Sequence, residues 1–266
     1  MVGSKKAIIS SIVMIGGVLL FFYLPILILM IFSFNDSRSL TSWAGFSLRW
    51  YQDLFSSRDV ASAVTTTIIV ALISTVVATF VGTLTAIGLS KSKKIVKDVV
   101  NSVNNLPILN PEIVTAIGMM LLFSAMNIPR GYITLLLAHI SFSIPYVILT
   151  ILPKLRSLDP NLAEAAMDLG ATPWQALTKV IVPQITPGIL AGALIAFTMS
   201  FDDFVISYFV TGAGVKNISI LVYTMSRRIN PSINALSTLM VLVITIVLVL
   251  INVLPMFKKK ERMPIE

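Results

Sequence analysis

Asp202 and Asp203 stand side by side inside an otherwise apolar run. Ionisable groups in such a setting are costly unless they face water, a partner or a ligand. Glu112, at the irregular start of another apolar run, adds a third carboxylate. Aromatic residues flank the pair in Phe201, Phe204 and Tyr208, and Tyr146 lies in a further apolar run. Carboxylates among aromatic rings suit a ligand bearing several ammonium groups, held by charge pairing and cation–π contact. A path for anions would call for Arg or Lys within the apolar runs, and none occurs there. Neighbouring residues on a helix point about 100° apart, so one aspartate is expected to face a shared cavity while the other caps or bonds elsewhere. The competing role for both is an interhelical lock with Ser200, Arg227, Arg228 or a partner chain. Asp202 follows Pro187 by fifteen residues. A straight helix places it about 22 Å along its axis, in the outer part of a hydrocarbon layer of about 30 Å. His139, the single histidine, reads as an interhelical hydrogen-bonding residue.

A second set of residues lies in the polar interruption from Asp159 to Pro183. Asp159 or Asn161 is placed to cap a short helix, with Pro160 in its first turn and Gly170 as its stop. Thr172 starts another, with Pro173 at its first position and Gln175 as capping-box partner. Pro183 and Pro187 are expected to close the segment. Ala165 and Ala166 allow close approach by a partner, Glu164 offers it an anchor, and Gly170 permits the left-handed turn that folds the second helix back. A rigid hairpin of this kind can transmit force.

Other chemistries are excluded. There is no cysteine and one histidine, so no thiolate or histidine-cluster metal site is expected. No G-x-x-x-x-G-K-[ST] phosphate loop occurs. Ser141 is too close to His139 for a catalytic pair and no G-x-S-x-G is present, so no catalytic residue is assigned.

The elements that must position these groups are membrane spans. The chain is 56% hydrophobic and only 12% charged, with a mean hydropathy of +0.91. This predicts an all-α polytopic membrane protein. Six spans are expected, at about 7–34, 61–89, 106–126, 132–152, 188–210 and 233–256, with the polar loop at 153–187 between the fourth and fifth. A short amphipathic helix, Leu48 to Phe55, suits the outer interface. Ala78, Gly82 and Ala86 recur every fourth residue, a pattern for close helix contact. Two prolines and three asparagines around Asn104–Glu112 predict a broken or late-starting third span. The formal charge of +8 does not point to nucleic acid, because the basic residues sit at the ends of apolar runs. Thirteen of the 20 Lys and Arg fall on the side holding the N-terminus, the basic loop around Lys91–Lys97, the 153–183 segment and the tail. The positive-inside rule makes that side, and both termini, cytosolic.

Glu164-Ala-Ala166, Gly170 and Ile181-Val-Pro183 resemble the EAA loop of ABC-importer permeases. Further stretches resemble the spermidine/putrescine branch of that family: Phe46-Ser-Leu-Arg-Trp-Tyr51, Gly82-Thr-Leu-Thr-Ala86, Asn110-Pro-Glu-Ile-Val114, His139-Ile-Ser-Phe142, Ala163–Ala171 and Phe197-Thr-Met-Ser-Phe-Asp-Asp203. One departure is Glu112, where the family pattern leads us to expect aspartate; its carboxylate reaches about one methylene further. The resemblance implies the type I ABC-importer permease fold in a bacterial cytoplasmic membrane, with coupling helices between spans 4 and 5. It implies Glu164, Ala165, Ala166, Gly170 and Pro183 at the ATPase joint, while the chemistry of the residues themselves puts Asp202, Asp203, Glu112, Phe201, Tyr208 and Tyr146 along the substrate path. It also implies the partners: a second, different permease, two ATPase subunits that use ATP and Mg, and an extracytoplasmic polyamine-binding protein. The chain itself would bind no cofactor and contact lipid. A permease for another solute, or a secondary transporter, are the alternatives.

Overall fold

The computed structural model describes residues 5–39, 42–227 and 230–260. These residues are helical apart from short connections and one isolated antiparallel bridge, Asn35 to Phe46. They pack as two compact units, Met1–Val60 with Val222–Glu266, and Ala61–Leu221.

In the first unit, α1 (Lys5–Phe32) runs through Pro25 and packs against α12 (Ser232–Lys260). Its described side chains are apolar on all sides and mostly exposed, which calls for an apolar surrounding. The amphipathic α2 (Arg49–Ser56) turns Trp50 and Leu54 inward and also packs on α12. The Trp50 indole N–H donates to Asn35 O over 2.7 Å, and Arg49 lies 4.2 Å above the Trp50 ring.

The second unit holds most of α3 (Arg58–Lys91), then α4 (Lys94–Leu109), α5 (Glu112–Ala125) and α6 (Tyr132–Arg156). A hairpin follows, made of α7 (Leu162–Asp168) and the single-turn α8 (Pro173–Gln175). A wide π-helical stretch, Ala176–Ile181, leads into α9 (Val182–Asp202). After a break come α10 (Val205–Val210) and the first four residues of α11 (Ile218–Arg227), whose remainder belongs to the first unit. The expected small-residue stripe is the packing face of α3: Ala71, Ser74, Ala78 and Ala86 are fully buried. A Cβ on Gly82 would lie 2.7 Å from a Val147 methyl, so only glycine lets α3 approach α6 this closely. Gly192 does the same for α9, where a Cβ would meet Thr150 Oγ1 at 2.6 Å. Small residues are how helices gain contact where the surrounding lipid is as apolar as they are. Two apolar clusters, one around Phe142, Val210 and Phe123 and one around Ile151, Ile185 and Leu152, close the unit.

Among the described residues, four helices are long and apolar enough to cross a membrane: Ser10–Phe32, Arg58–Lys91, Tyr132–Arg156 and Pro173–Asp202. The third and sixth expected spans correspond to the shorter apolar segments Glu112–Ala125 and Ser232–Ile246. Several helix boundaries differ from expectation. Leu106–Leu109 closes α4, and the third apolar helix begins only at Glu112, because Asn110 and Pro111 adopt extended backbone. The basic residues near 91–97 form no loop beyond Ser92 and Lys93; the rest belong to α3 and α4. The fifth expected span is two helices, interrupted at Asp203–Phe204. Pro183 and Pro187 do not end the hairpin's second helix, which runs into α9. A wide turn directly precedes Pro183, where its ring would otherwise strike the carbonyl four residues back. Arg228 and the tail's Arg262 lie outside the described residues.

Candidate functional site

The polar hairpin is built from local signals. Asn161 N donates to Asp159 Oδ1 over 2.9 Å, and α7 begins at Leu162, so Pro160 precedes the helix rather than entering its first turn. At the other end Gly170 has φ +88°. Gly170 N donates to Met167 O over 2.9 Å and Ala171 N to Ala166 O over 3.1 Å, the paired bonds of a Schellman stop. Thr172 and Gln175 form the expected capping box: Gln175 N donates to Thr172 Oγ1 and Thr172 N to Gln175 Oε1. Glu164, Ala165 and Pro183 are exposed and Ala166 is half-buried. The tip also presents Leu169, 91% exposed, and Trp174, 71% exposed. Large apolar groups left in water at a rigid turn mark a surface made to be covered. Behind the hairpin a cavity of about 760 Å³ is lined by Lys91, Lys97, Arg156, Asp159 and Glu164 among apolar side chains.

The acidic residues gather at the break after α9. Asp202, the last residue of α9, is exposed, whereas Asp203 is buried. Asp203 Oδ1 accepts from Ile206 N (3.2 Å), and Oδ2 accepts from Ser207 N and Ser207 Oγ (both 2.7 Å). The second aspartate thus caps α10, satisfying amide groups that the helix itself leaves unpaired. His139 Nε2 stands 3.3 Å from Asp203 Oδ2 and 3.0 Å from Ser207 Oγ. Its Nδ1 meets Ser200 Oγ at 2.6 Å, and Ser74 Oγ donates to Ser200 over 3.0 Å. Asn217 Nδ2 donates to Asp203 O (3.0 Å) and to Ser207 Oγ (2.8 Å).

Glu112 opens α5 with an exposed side chain within electrostatic range of both Asp203 and Asp202. Tyr146 lies within electrostatic range of Glu112 and shares with it a pocket of about 210 Å³, also lined by Asn110, Thr115 and Phe142. Phe201 stacks on Phe197 at 5.7 Å, and half-exposed Tyr208 packs beside Phe204 at 5.5 Å. The structure therefore gathers Glu112, Asp202, Asp203 and Tyr146 in one region and divides the two aspartates between opposite environments. Among the described residues no group of three His, Cys, Asp or Glu is placed to hold a metal ion.

Sequence reasoning missed the exposed tip residues Leu169 and Trp174, whose signal was apolar character inside a polar turn. It also missed Ser207 and Asn217, which carry no distinguishing local pattern. His139 is interhelical as expected, but its partners include the aspartate singled out for the path.

Residues 78–257 match the family described as binding-protein-dependent transport system inner membrane component. The spermidine/putrescine transport system permease protein PotC of Escherichia coli (strain K12) is 36% identical over 231 residues, covering 86% of this chain and 87% of that protein. The putrescine transport system permease protein PotI of the same strain is 39% identical over 227 residues, covering 82% and 81%. Among solved structures, a chain of a bacterial alginate ABC transporter in complex with an alginate pentasaccharide-bound periplasmic protein has a TM-score of 0.67. Its identity is 17%, with 93% of each chain covered, which speaks to the fold alone.

Proposed function

Because the chain belongs to the inner-membrane components of binding-protein-dependent transport systems, we propose that it is one permease subunit of an ATP-driven polyamine importer. It forms half of the translocation path, and a second homologous permease supplies the other half. An extracytoplasmic polyamine-binding protein delivers the cargo, and two ATPase subunits use ATP and Mg on the cytosolic side. The chain lies in the bacterial cytoplasmic membrane with both termini in the cytosol. Binding and closure of the ATPases push on the hairpin through Glu164, the Ala165–Ala166 face and the turn at Gly170, and the helix running through Pro183 into α9 carries that motion to the path.

The observation that carries the substrate class is the gathering of Glu112, Asp203 and Asp202 near a pocket lined by Glu112, Phe142 and Tyr146. Among the described residues no lysine or arginine pairs with any of these three carboxylates, and Asp203 is held by His139. Such a surface attracts a ligand with several ammonium groups and repels anions. Asp202 also ends a helix whose terminal carbonyls present partial negative charge in the same direction.

The test is purification of the tagged chain from membranes containing the neighbouring reading frames, followed by uptake competition. The proposal expects an ATPase and a second permease to co-purify, and excess putrescine or spermidine to compete for uptake where neutral and anionic solutes do not. Retrieval of the chain alone, or competition by an anion instead, would count against it.

A further inference from the structure

We infer that His139 is a positioning residue of the path: through Asp203 it fixes the interruption between α9 and α10, leaving Asp202 rather than Asp203 to meet the cargo. This rests on the polyamine reading for the identity of the cargo, though not for the geometry.

Most of the accepting capacity of Asp203 is committed within the protein. Both of its oxygens are engaged, by two amides of the first turn of α10, by the Ser207 hydroxyl and by the approach of His139 Nε2. The residue is 5% exposed. An ammonium group taking Oδ2 would displace bonds that start α10, and the burial of Asp203 leaves little access to Oδ1. Asp202 is under no such constraint: its side chain is exposed, and only its backbone carbonyl is held, by Ser219 Oγ at 3.3 Å.

His139 is what ties this cap to the rest of the unit. One arrangement of protons satisfies the entire chain of groups. Ser74 donates to Ser200, Ser200 donates to His139 Nδ1, and the ring proton sits on Nε2, facing Ser207 and Asp203. These contacts join α3, α6, α9 and α10, and Asn217 adds the segment before α11 through Asp203 O and Ser207 Oγ. Each of His139, Ser74, Ser200, Ser207 and Asn217 is at most 2% exposed. Buried polar networks that are fully satisfied fix one geometry, because any other leaves groups unpaired. Here the geometry fixed is an interrupted helix. The stretch around Asp203 and Phe204 contains neither proline nor glycine, so the break rests on the Asp203 cap and on the groups that hold it.

A double-mutant cycle tests the inference in the full assembly, with both permeases, the ATPases and the binding protein in proteoliposomes, scored per assembled complex. His139→Ala and Asp203→Asn should each lower maximal uptake roughly tenfold, the scale of coupling between contacting residues, and the double variant should be no worse than the poorer single one. Both should slow spermidine and putrescine in equal proportion, whereas Asp202→Asn should change the ratio between them. His139→Gln, which keeps a donor and an acceptor, should recover part of the loss, and it replaces His139→Ala in the cycle if that variant does not assemble. Additive losses, or a spermidine-to-putrescine ratio altered by Asp203→Asn but not by His139→Ala, would overturn the inference. If the wild-type assembly moves neither polyamine, the cargo reading fails instead. The cycle is then scored on ATP hydrolysis stimulated by the binding protein, where additivity still refutes the role of His139.

Discussion

Gly170 gives the sharpest test of the hairpin as a force-bearing joint. Its φ of +88° closes the Schellman turn after α7, and a Cβ built on it would meet nothing within 4 Å. Within this chain, then, the cost of a side chain is conformational and not steric. An ordinary L-residue in the left-handed region costs about 1–2 kcal/mol, and a β-branched residue more. On that scale alanine shifts the balance between the folded turn and alternatives by roughly 5- to 30-fold. Asparagine tolerates the region better. The expected order of coupling is therefore glycine, then asparagine, then alanine, then valine. The assay is solute moved per ATP hydrolysed in the reconstituted assembly. A steric clash with the docked ATPase would rank the larger asparagine below alanine, and a hairpin without mechanical function would leave Gly170→Val fully coupled. Either result would refute the reasoning.

Three further outcomes are expected. Glu164→Lys reverses the charge on the exposed face of α7 and should uncouple hydrolysis from uptake or prevent co-purification of the ATPase; normal values of both would argue against an anchor there. Thr172→Ala removes the side-chain half of the capping box and should destabilise the second hairpin helix by about 1 kcal/mol, read as faster amide exchange at Gln175 while α6 is unchanged. Gly192→Val forces a side chain into the space occupied by Thr150 Oγ1. It should lower stability by about 1–3 kcal/mol through overpacking, seen as a reduced thermal midpoint in detergent, and Gly192→Ala should cost less.

The hairpin was legible because its determinants are local: Gly170, Thr172 and Gln175 specify their turns within a few residues, and the structure shows the corresponding bonds. The close-packing stripe at Ala78, Gly82 and Ala86 was legible for the same reason, being a fixed spacing on one helix face. The break at Asp203–Phe204 was legible only in part: a capping aspartate is a local signal, but the groups that hold it, His139 on α6 and Asn217 beyond α10, are distant in sequence. The Asp-Asp pair read as one path residue and one capping residue, without saying which was which. Helix α4 was missed because four lysines drew attention away from Ile95, Val96, Val99 and Val103, which give it an apolar face. The passage through Pro183 depends on a wide turn that no sequence pattern announced.

In the proposed function, this chain offers a carboxylate-lined half-path to a polycation whose transport is driven by ATP. That role is tested most directly by accumulation of labelled spermidine and putrescine in proteoliposomes holding the complete assembly. Uptake should require both ATP and the loaded binding protein, and should be largely lost when Asp202→Asn and Glu112→Gln are combined although ATP hydrolysis persists. Undiminished uptake by that double variant, or accumulation without ATP, would contradict it.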